Sequence, residues 1–226
     1  MLDTDPSQDS SHSFIYLASQ SPRRAQLLEQ LGVKYKLLLP DTHEDSEALE
    51  VVLEGEDPRS YVVRVTQLKL RAALNRLDNR VRGVNQETYS NAPILCADTT
   101  VALGGEILGK PTSPGDAAQM LGRLSGQTHQ VLTAVSLSWG EHAPATALPN
   151  LSALSVSWVE FASLSTAQIQ AYVDTGEPMG KAGAYAVQGR AAGFIKNMQG
   201  SYSGIMGLPH FECAQLLSQV GWAPFK

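Results

Sequence analysis

Residues 14–32, FIYLASQSPRRAQLLEQLG, constrain the fold more than any other stretch. Phe14, Ile15, Tyr16, Leu17 and Ala18 form an apolar run of strand length. Ser21 suits a helix N-cap, and Pro22 suits the first helical position, where a missing N–H breaks no intrahelical bond. Leu27, Leu28 and Leu31 give that helix an apolar stripe, and Gly32 suits the residue after its end. The stretch predicts a buried strand, a tight turn and an amphipathic helix. It places Arg23 and Arg24 in the first helical turn, where the helix dipole is already positive. Free N–H groups, serine hydroxyls (Ser19, Ser21) and two guanidinium forks at one point suit a phosphate-rich anion. The local chemistry leaves a second reading open, two arginines pointing into solvent.

Strand and helix patterns alternate through the first half. VKYKLLL at 33–39 reads as a second strand ended by Pro40, and the acidic residues 41–57 read as a surface loop. Asp57 caps a long helix with Pro58 at its first position, and Tyr61, Val62, Val65, Leu68, Ala72 and Leu77 keep helical spacing. Residues 79–93 lack periodicity and read as an exposed insertion. Residues 94–97 are a short buried strand with Asp98, Thr99 and Thr100 at its end, and Gly104-Gly105 makes a hairpin turn. Ser113-Pro114 is a second Ser-Pro helix start. Residues 130–139 and 151–161 alternate as neighbouring antiparallel strands, and Ser165 caps a further helix. Short strands are expected at 184–187 and 193–195 within a glycine-rich region, another glycine-rich loop at 200–209, and a last helix near 211–220. Alternating elements followed by an antiparallel pair define an α/β domain with a mixed sheet.

Composition narrows the function. The 226 residues carry a formal net charge of -5, which argues against bulk nucleic-acid binding and favours a locally basic pocket for a small anion. Two distant cysteines, Cys96 and Cys213, fit small core residues in a reduced cytoplasmic setting. No apolar run reaches the ~20 residues a membrane span needs. Residues 1–13 are polar and read as a disordered tail, leaving one domain over 14–226.

Chemistry-bearing residues fall into four groups. The first is Ser19, Ser21, Arg23 and Arg24, which is neither a Walker loop nor a dinucleotide fingerprint. The second is Asp98 with Thr99, either a cation ligand or proton acceptor, or a turn-forming pair. The third is Lys110-Pro111, a phosphate partner or a solvated lysine. The fourth is KAGAY at 181–185 with Gln188-Gly189, whose glycines let backbone N–H groups approach a ligand and whose Gln188 amide can read a base edge. Glu44, Asp45 and Glu47 alone are a solvated charge run. The histidines show no metal-ligand spacing.

Taken together and in order, SQSPRR at 19–24, CADTTV at 96–101, GKP at 109–111, LSGQTHQVLTAV at 124–135 and GEPMGKAGAYAVQG at 176–189 closely resemble the Maf family of nucleoside-triphosphate pyrophosphatases. The resemblance runs from about 14 to about 220. It implies the Maf-type α/β fold, akin to inosine-triphosphate pyrophosphatases, with an elongated mixed sheet and two lobes flanking a cleft. AGAYAVQG and GSYSGIMGLP resemble the branch acting on dTTP and UTP. The resemblance makes Asp98 the catalytic proton acceptor and ties Arg23, Thr99 and Gln188 to substrate choice. It adds Ser21, Arg24, Lys110 and Lys181 as substrate contacts, with Glu44 and Lys69 as further cleft positions. It implies a Mg²⁺ or Mn²⁺ ion held by Asp98 and Glu44. The chain departs from the family pattern in its tail, in the 79–93 insertion and at Gln20, where a small residue is common. A pyrophosphatase for another modified nucleotide such as 7-methyl-GTP, and a nucleotide-binding regulator of septum formation, are the alternative readings. Expected partners are the nucleotide and a second copy, paired through sheet edges or residues 139–150.

Overall fold

A computed structural model describes residues 14–45, 47–82, 92–139 and 150–222. The expected tail (1–13), most of the expected insertion (83–91) and residues 140–149 of the expected pairing stretch lie outside the described residues.

Among the described residues seven strands, β1 (Ile15–Leu17), β2 (Tyr35–Leu37), β3 (Ile94–Leu103), β4 (Glu106–Leu108), β5 (Thr128–Ser138), β6 (Leu151–Phe161) and β7 (Ile195–Gln199), form one sheet in the order β2-β1-β3-β5-β6-β7, with β4 pairing to β3 off that path. β1 lies parallel to β2 and to β3. β3, β5, β6 and β7 run antiparallel in turn. The first helix, α1 (Pro22–Gln30), spans the residues its cap and stripe predict, and buries Leu27 and Leu28. The long helix α2 (Pro58–Arg82) starts where Asp57 accepts hydrogen bonds from the N–H groups of Arg59 and Ser60. α2 runs on to Arg82, so residues 79–82 continue the helix where an insertion was expected. Val81 still packs on its core face, and nothing in NRVR breaks a helix. α3 (Pro114–Leu124) and α4 (Thr166–Val173) are capped by Ser113 and Ser165.

α2 covers one face of the sheet, packing Tyr61, Val62 and Val65 on Ala102, Leu132 and Ala134, and Leu70, Ala73 and Leu77 on Tyr16, Ile94 and Cys96. On the other face, α1 and the last helix, α6 (His210–Ser218, after the short α5 at Tyr202–Met206), bury Leu27, Leu28, Leu216 and Leu217 against Leu95, Ala97, Val135 and Leu137. Further along that face, α3 and α4 pack on Val101, Val131, Val159 and Phe161. The expected strands at 184–187 and 193–195 do not form. The backbone makes 3₁₀ turns at Ala182–Ala184 and Arg190–Phe194, and β7 begins only at Ile195. Gly183 and Ala184 stand in succession at φ 66° and 60°, a left-handed pair that no strand accommodates.

The site depends on one topological feature. β5 pairs with one edge of β3 from Ile94 to Ala102. The other edge is shared: β1 pairs with Ile94 and Leu95, and β4 (Glu106–Leu108) pairs with Val101, Ala102 and Leu103. Neither ladder covers residues 96–100. The sheet is therefore split on that side, over the middle of β3.

Candidate active site

Asp98 lies in the middle of the ten-residue β3, not at a strand end as expected. Thr99 and Thr100 are β-branched and extend the strand as readily as valine does. Asp98 is reachable because the edge beside it is uncovered. Side chains alternate along β3, so Asp98 lies on the α2 face and Thr99 on the opposite face, and the split opens to both. The cleft there has a volume of about 660 Å³, and Ser21, Arg23, Arg24, Glu44, Lys69, Asp98, Thr99, Lys110, Lys181 and Gln188 all line it.

On the α2 face, Lys69 Nζ lies 2.5 Å from Asp98 Oδ1 and 2.7 Å from Glu50 Oε1. Lys110 Nζ reaches the other oxygen of Glu50 at 2.7 Å. The result is a row of alternating charge: Asp98, Lys69, Glu50, Lys110. Burial opposes ionisation of Glu50, but Lys69 and Lys110 outweigh it and hold its carboxyl below the ordinary value. The Tyr61 phenol, pushed up to about 12 by burial and by Asp98 and Glu50, donates to the backbone oxygen of Glu50 at 2.9 Å.

On the opposite face, Arg24 is enclosed in protein contacts. It donates from Nε to Gly207 O (2.9 Å), from Nη1 to Ser19 Oγ (3.3 Å) and from Nη2 to Thr99 Oγ1 (3.4 Å). Burial lowers its pKa, with Asp98 opposing. The hydroxyl chain beyond it has one direction. Thr133 donates to Gly204 O at 2.7 Å, so its oxygen accepts from Thr99, 2.9 Å away. Thr99 has then spent its only proton and presents a lone pair alone. Ser21 forms no side-chain bond to its own helix, and its hydroxyl is left to the cleft.

Lys181 donates to the carbonyls of Glu177 and, at 3.4 Å, Met179, and burial followed by Arg23 lowers its pKa. Gln188 is exposed at the rim. Of the five cations expected here, Arg23 alone has no hydrogen-bond or ion-pair partner among the described residues. Two glycines of the 176–189 loop, Gly183 and Gly189, are closely packed. Gly183 N–H donates to Gly109 O, and Gly189 N–H to Ala186 O. A Cβ at Gly183 would lie 2.9 Å from the Val101 side chain, and one at Gly189 would lie 2.2 Å from Glu177 Oε1.

Three cleft residues escaped the sequence reading. Arg76 lies seven residues, two helical turns, after Lys69, so it shares the face that meets the cleft; that spacing was a usable signal. Glu50 is one acid among many in an acidic loop, and Tyr61 reads only as a core position; neither carries a local signal.

Arg76 decides the place of Glu44. Its Nε and Nη2 hold both oxygens of Glu44, at 2.7 and 2.5 Å, while Nη1 donates to Leu38 O at 2.8 Å. Arg76 also keeps the Glu44 carboxyl below its ordinary pKa. Both oxygens of Glu44 are thus engaged by Arg76, so a cation at Glu44 would have to compete with that pair. Asp98 fits better, since its Oδ2 has no hydrogen bond from the described residues. Among the described residues, no group of three or more His, Cys, Asp and Glu side chains could hold a metal ion. The lone Asp98 carboxylate is a donor of the kind Mg²⁺ takes, since Mg²⁺ commonly binds one or two carboxylates and completes its shell with substrate phosphates and water.

An acid ringed by cations on a split sheet edge marks an α/β protein that handles a polyanion in a cleft. The chain belongs to the Maf family: a family model described as Maf-like protein matches residues 14–220. It is 59% identical over 209 residues to a dTTP/UTP pyrophosphatase of Albidiferax ferrireducens, covering 92% of this chain and 98% of that one. It is 57% identical over 208 residues to one of a Polaromonas species (92% and 96%) and 56% identical over 211 residues to one of Cupriavidus pinatubonensis (92% and 98%). Among solved structures, a HAM1 protein from Coxiella burnetii is similar at a TM-score of 0.41 and 17% identity, over 68% of this chain and 75% of that one.

Proposed function

We propose that this chain hydrolyses the bond between the α- and β-phosphates of a pyrimidine nucleoside triphosphate, dTTP and UTP first, giving the monophosphate and pyrophosphate. The observation that carries the reading is Asp98, held by Lys69 on an uncovered strand edge, in a cleft that Arg23, Arg24, Lys110 and Lys181 also line. The names of the relatives supply the substrate class.

A water held at Asp98 Oδ2 attacks the α-phosphorus, its proton passes to the carboxylate, and the bond to the β-phosphate breaks as pyrophosphate leaves. Arg23, without a partner among the described residues, meets the phosphates first, and Lys110 and Lys181 neutralise charge along the chain. Arg24 holds the turn at Ser19 to the loop at Gly207 and fixes Thr99. The Thr99 lone pair suits a donor, and the imide N–H shared by uracil and thymine is one, whereas cytosine offers a bare ring nitrogen there. Gln188 reads the remaining base edge. Asp98 is the residue that would hold a divalent cation, in place of its proton-accepting role, and such an ion would supply charge neutralisation and polarisation of the phosphates.

The test is pyrophosphate release over dTTP, UTP, CTP and 7-methyl-GTP, with and without Mg²⁺, for the native chain and Asp98→Asn. Expected are a preference for dTTP and UTP and a loss on the order of 10²-fold or more in turnover for the variant. Preference for the methylated purine would overturn the substrate reading, and near-native turnover by the variant would overturn the role of Asp98.

A further inference from the structure

The phosphate side of the cleft already contains an anion. The two oxygens of Glu50 rest on two different ammonium groups, Lys69 from α2 and Lys110 from the turn after β4, each at 2.7 Å. Two oxygens of a phosphate chain would rest on the same two cations. Glu50 is carried there by a built support. Asp45 Oδ1 accepts from the N–H groups of Glu47 and Ala48 and starts the 3₁₀ turn at Ala48–Glu50. Tyr61 holds the Glu50 carbonyl, and Arg64 donates to Val51 O at 2.9 Å while pairing with Glu56 through two hydrogen bonds. The backbone is thus tied to α2 at Glu50 and at the residue after it. Only the side chain has to rotate to release the lysines.

We propose that Glu50 is a specificity-determining residue for phosphate number: its carboxylate holds Lys69 and Lys110 until a ligand with enough phosphate oxygens to engage both lysines takes its place. The proposal rests on the pyrophosphatase reading for the identity of the ligand. A short anion can meet Arg23 and Lys181 but reaches the two lysines only in competition with Glu50. A triphosphate carries more charge and spans further, so it makes the exchange. The same competition acts on the product, since Glu50 returns to the lysines as pyrophosphate leaves. The residue therefore works against the mono- and diphosphate and against retained product, by like-charge exclusion.

Calorimetric titration with inorganic pyrophosphate, with and without Mg²⁺, tests this on the native chain, Glu50→Gln, Glu50→Asp and Glu54→Gln. Glu54 is exposed, does not line the cleft, and controls for net charge alone. Expected is about tenfold tighter pyrophosphate binding for Glu50→Gln, an intermediate change for the shorter but charged Glu50→Asp, and none for Glu54→Gln. UDP should also inhibit Glu50→Gln more strongly, narrowing the gap between its inhibition constant and the KM for UTP. Unchanged pyrophosphate binding in Glu50→Gln overturns the proposal. Weaker binding confined to Mg²⁺ also overturns it, because Glu50 is then a metal ligand. A native chain that releases no pyrophosphate from any nucleotide refutes the pyrophosphatase reading, while the titration still decides the part played by Glu50. If Glu50→Gln does not fold, the Glu50→Asp titration stands alone, and native affinity there overturns the proposal.

Discussion

Adjacent arginines on one helical turn have opposite surroundings. Arg23 has no partner among the described residues and lines the cleft, whereas Arg24 donates three hydrogen bonds that tie the α1 turn to Gly207 and Thr99. Their substitutions should separate accordingly. Arg23→Ala should leave the melting temperature unchanged and raise KM about tenfold or more, since it removes a contact made only with ligand. Arg24→Ala should cost about 1–3 kcal/mol of stability, because it leaves buried acceptors unpaired, and should lower kcat as Thr99 loses its orientation. Thermal melts with steady-state kinetics on UTP check both, and equal loss of stability in the two variants would refute the division. The sequence could place both guanidinium groups in the first turn. It could not say which one the protein itself consumes, because two of the three acceptors for Arg24, Thr99 and Gly207, lie 75 and 183 residues away.

At the scale of elements, the loop over 176–190 is held by close packing. Gly183 sits on Val101 of β3, and Tyr172 of α4 donates to Glu177 Oε1 at 2.9 Å while its oxygen accepts from the Ala186 N–H. A Cβ at Gly183 meets three Val101 carbons at 2.9 Å and adds left-handed strain, whereas one at Gly180 meets nothing within 4 Å and adds strain alone. Gly183→Ala should therefore cost about 1–3 kcal/mol more than Gly180→Ala and raise KM through Lys181 and Gln188 on the same loop. Chemical denaturation of the two variants checks the difference, and equal costs would remove the packing account. Local pattern located most elements, since caps and hydrophobic spacing act within a few residues: α1, α3, α4 and β6 begin and run where Ser21, Ser113, Ser165 and the alternation of 151–161 predict. It failed at 184–187, where apolar residues that read as a strand are buried instead between α4 and β3, with no strand beside them to pair with.

Across the whole molecule, stability is coupled to pH through a histidine that does not itself line the cleft. His129 is 1% exposed, hydrogen-bonded to the Tyr185 phenol at 2.8 Å and enclosed by Phe161, and burial lowers its pKa to about 4. Below its ordinary pKa of about 6.5 the unfolded chain takes up a proton that the fold refuses, so stability falls as pH falls from there toward 4. The full effect is at most about 3 kcal/mol. Glu44, Glu50 and Glu56, all with lowered pKa values, lose their contribution only as pH drops below the usual carboxylate range, so comparison of pH 7 with pH 5 isolates the histidines. His129→Gln should remove most of that loss in urea unfolding, leaving a remainder from His210, also lowered by burial; an undiminished loss would show that His129 is not its source. The sequence by itself determined the α/β class, the helix starts and the residue types that a polyanion needs, because capping, periodicity and charge are local properties. Only the tertiary structure decided that β1 and β4 share one edge of β3 and leave 96–100 uncovered, that Glu44 pairs with Arg76, and that Glu50 sits between Lys69 and Lys110. Each of those is a pairing between residues distant in the chain, and no short window of sequence contains both partners.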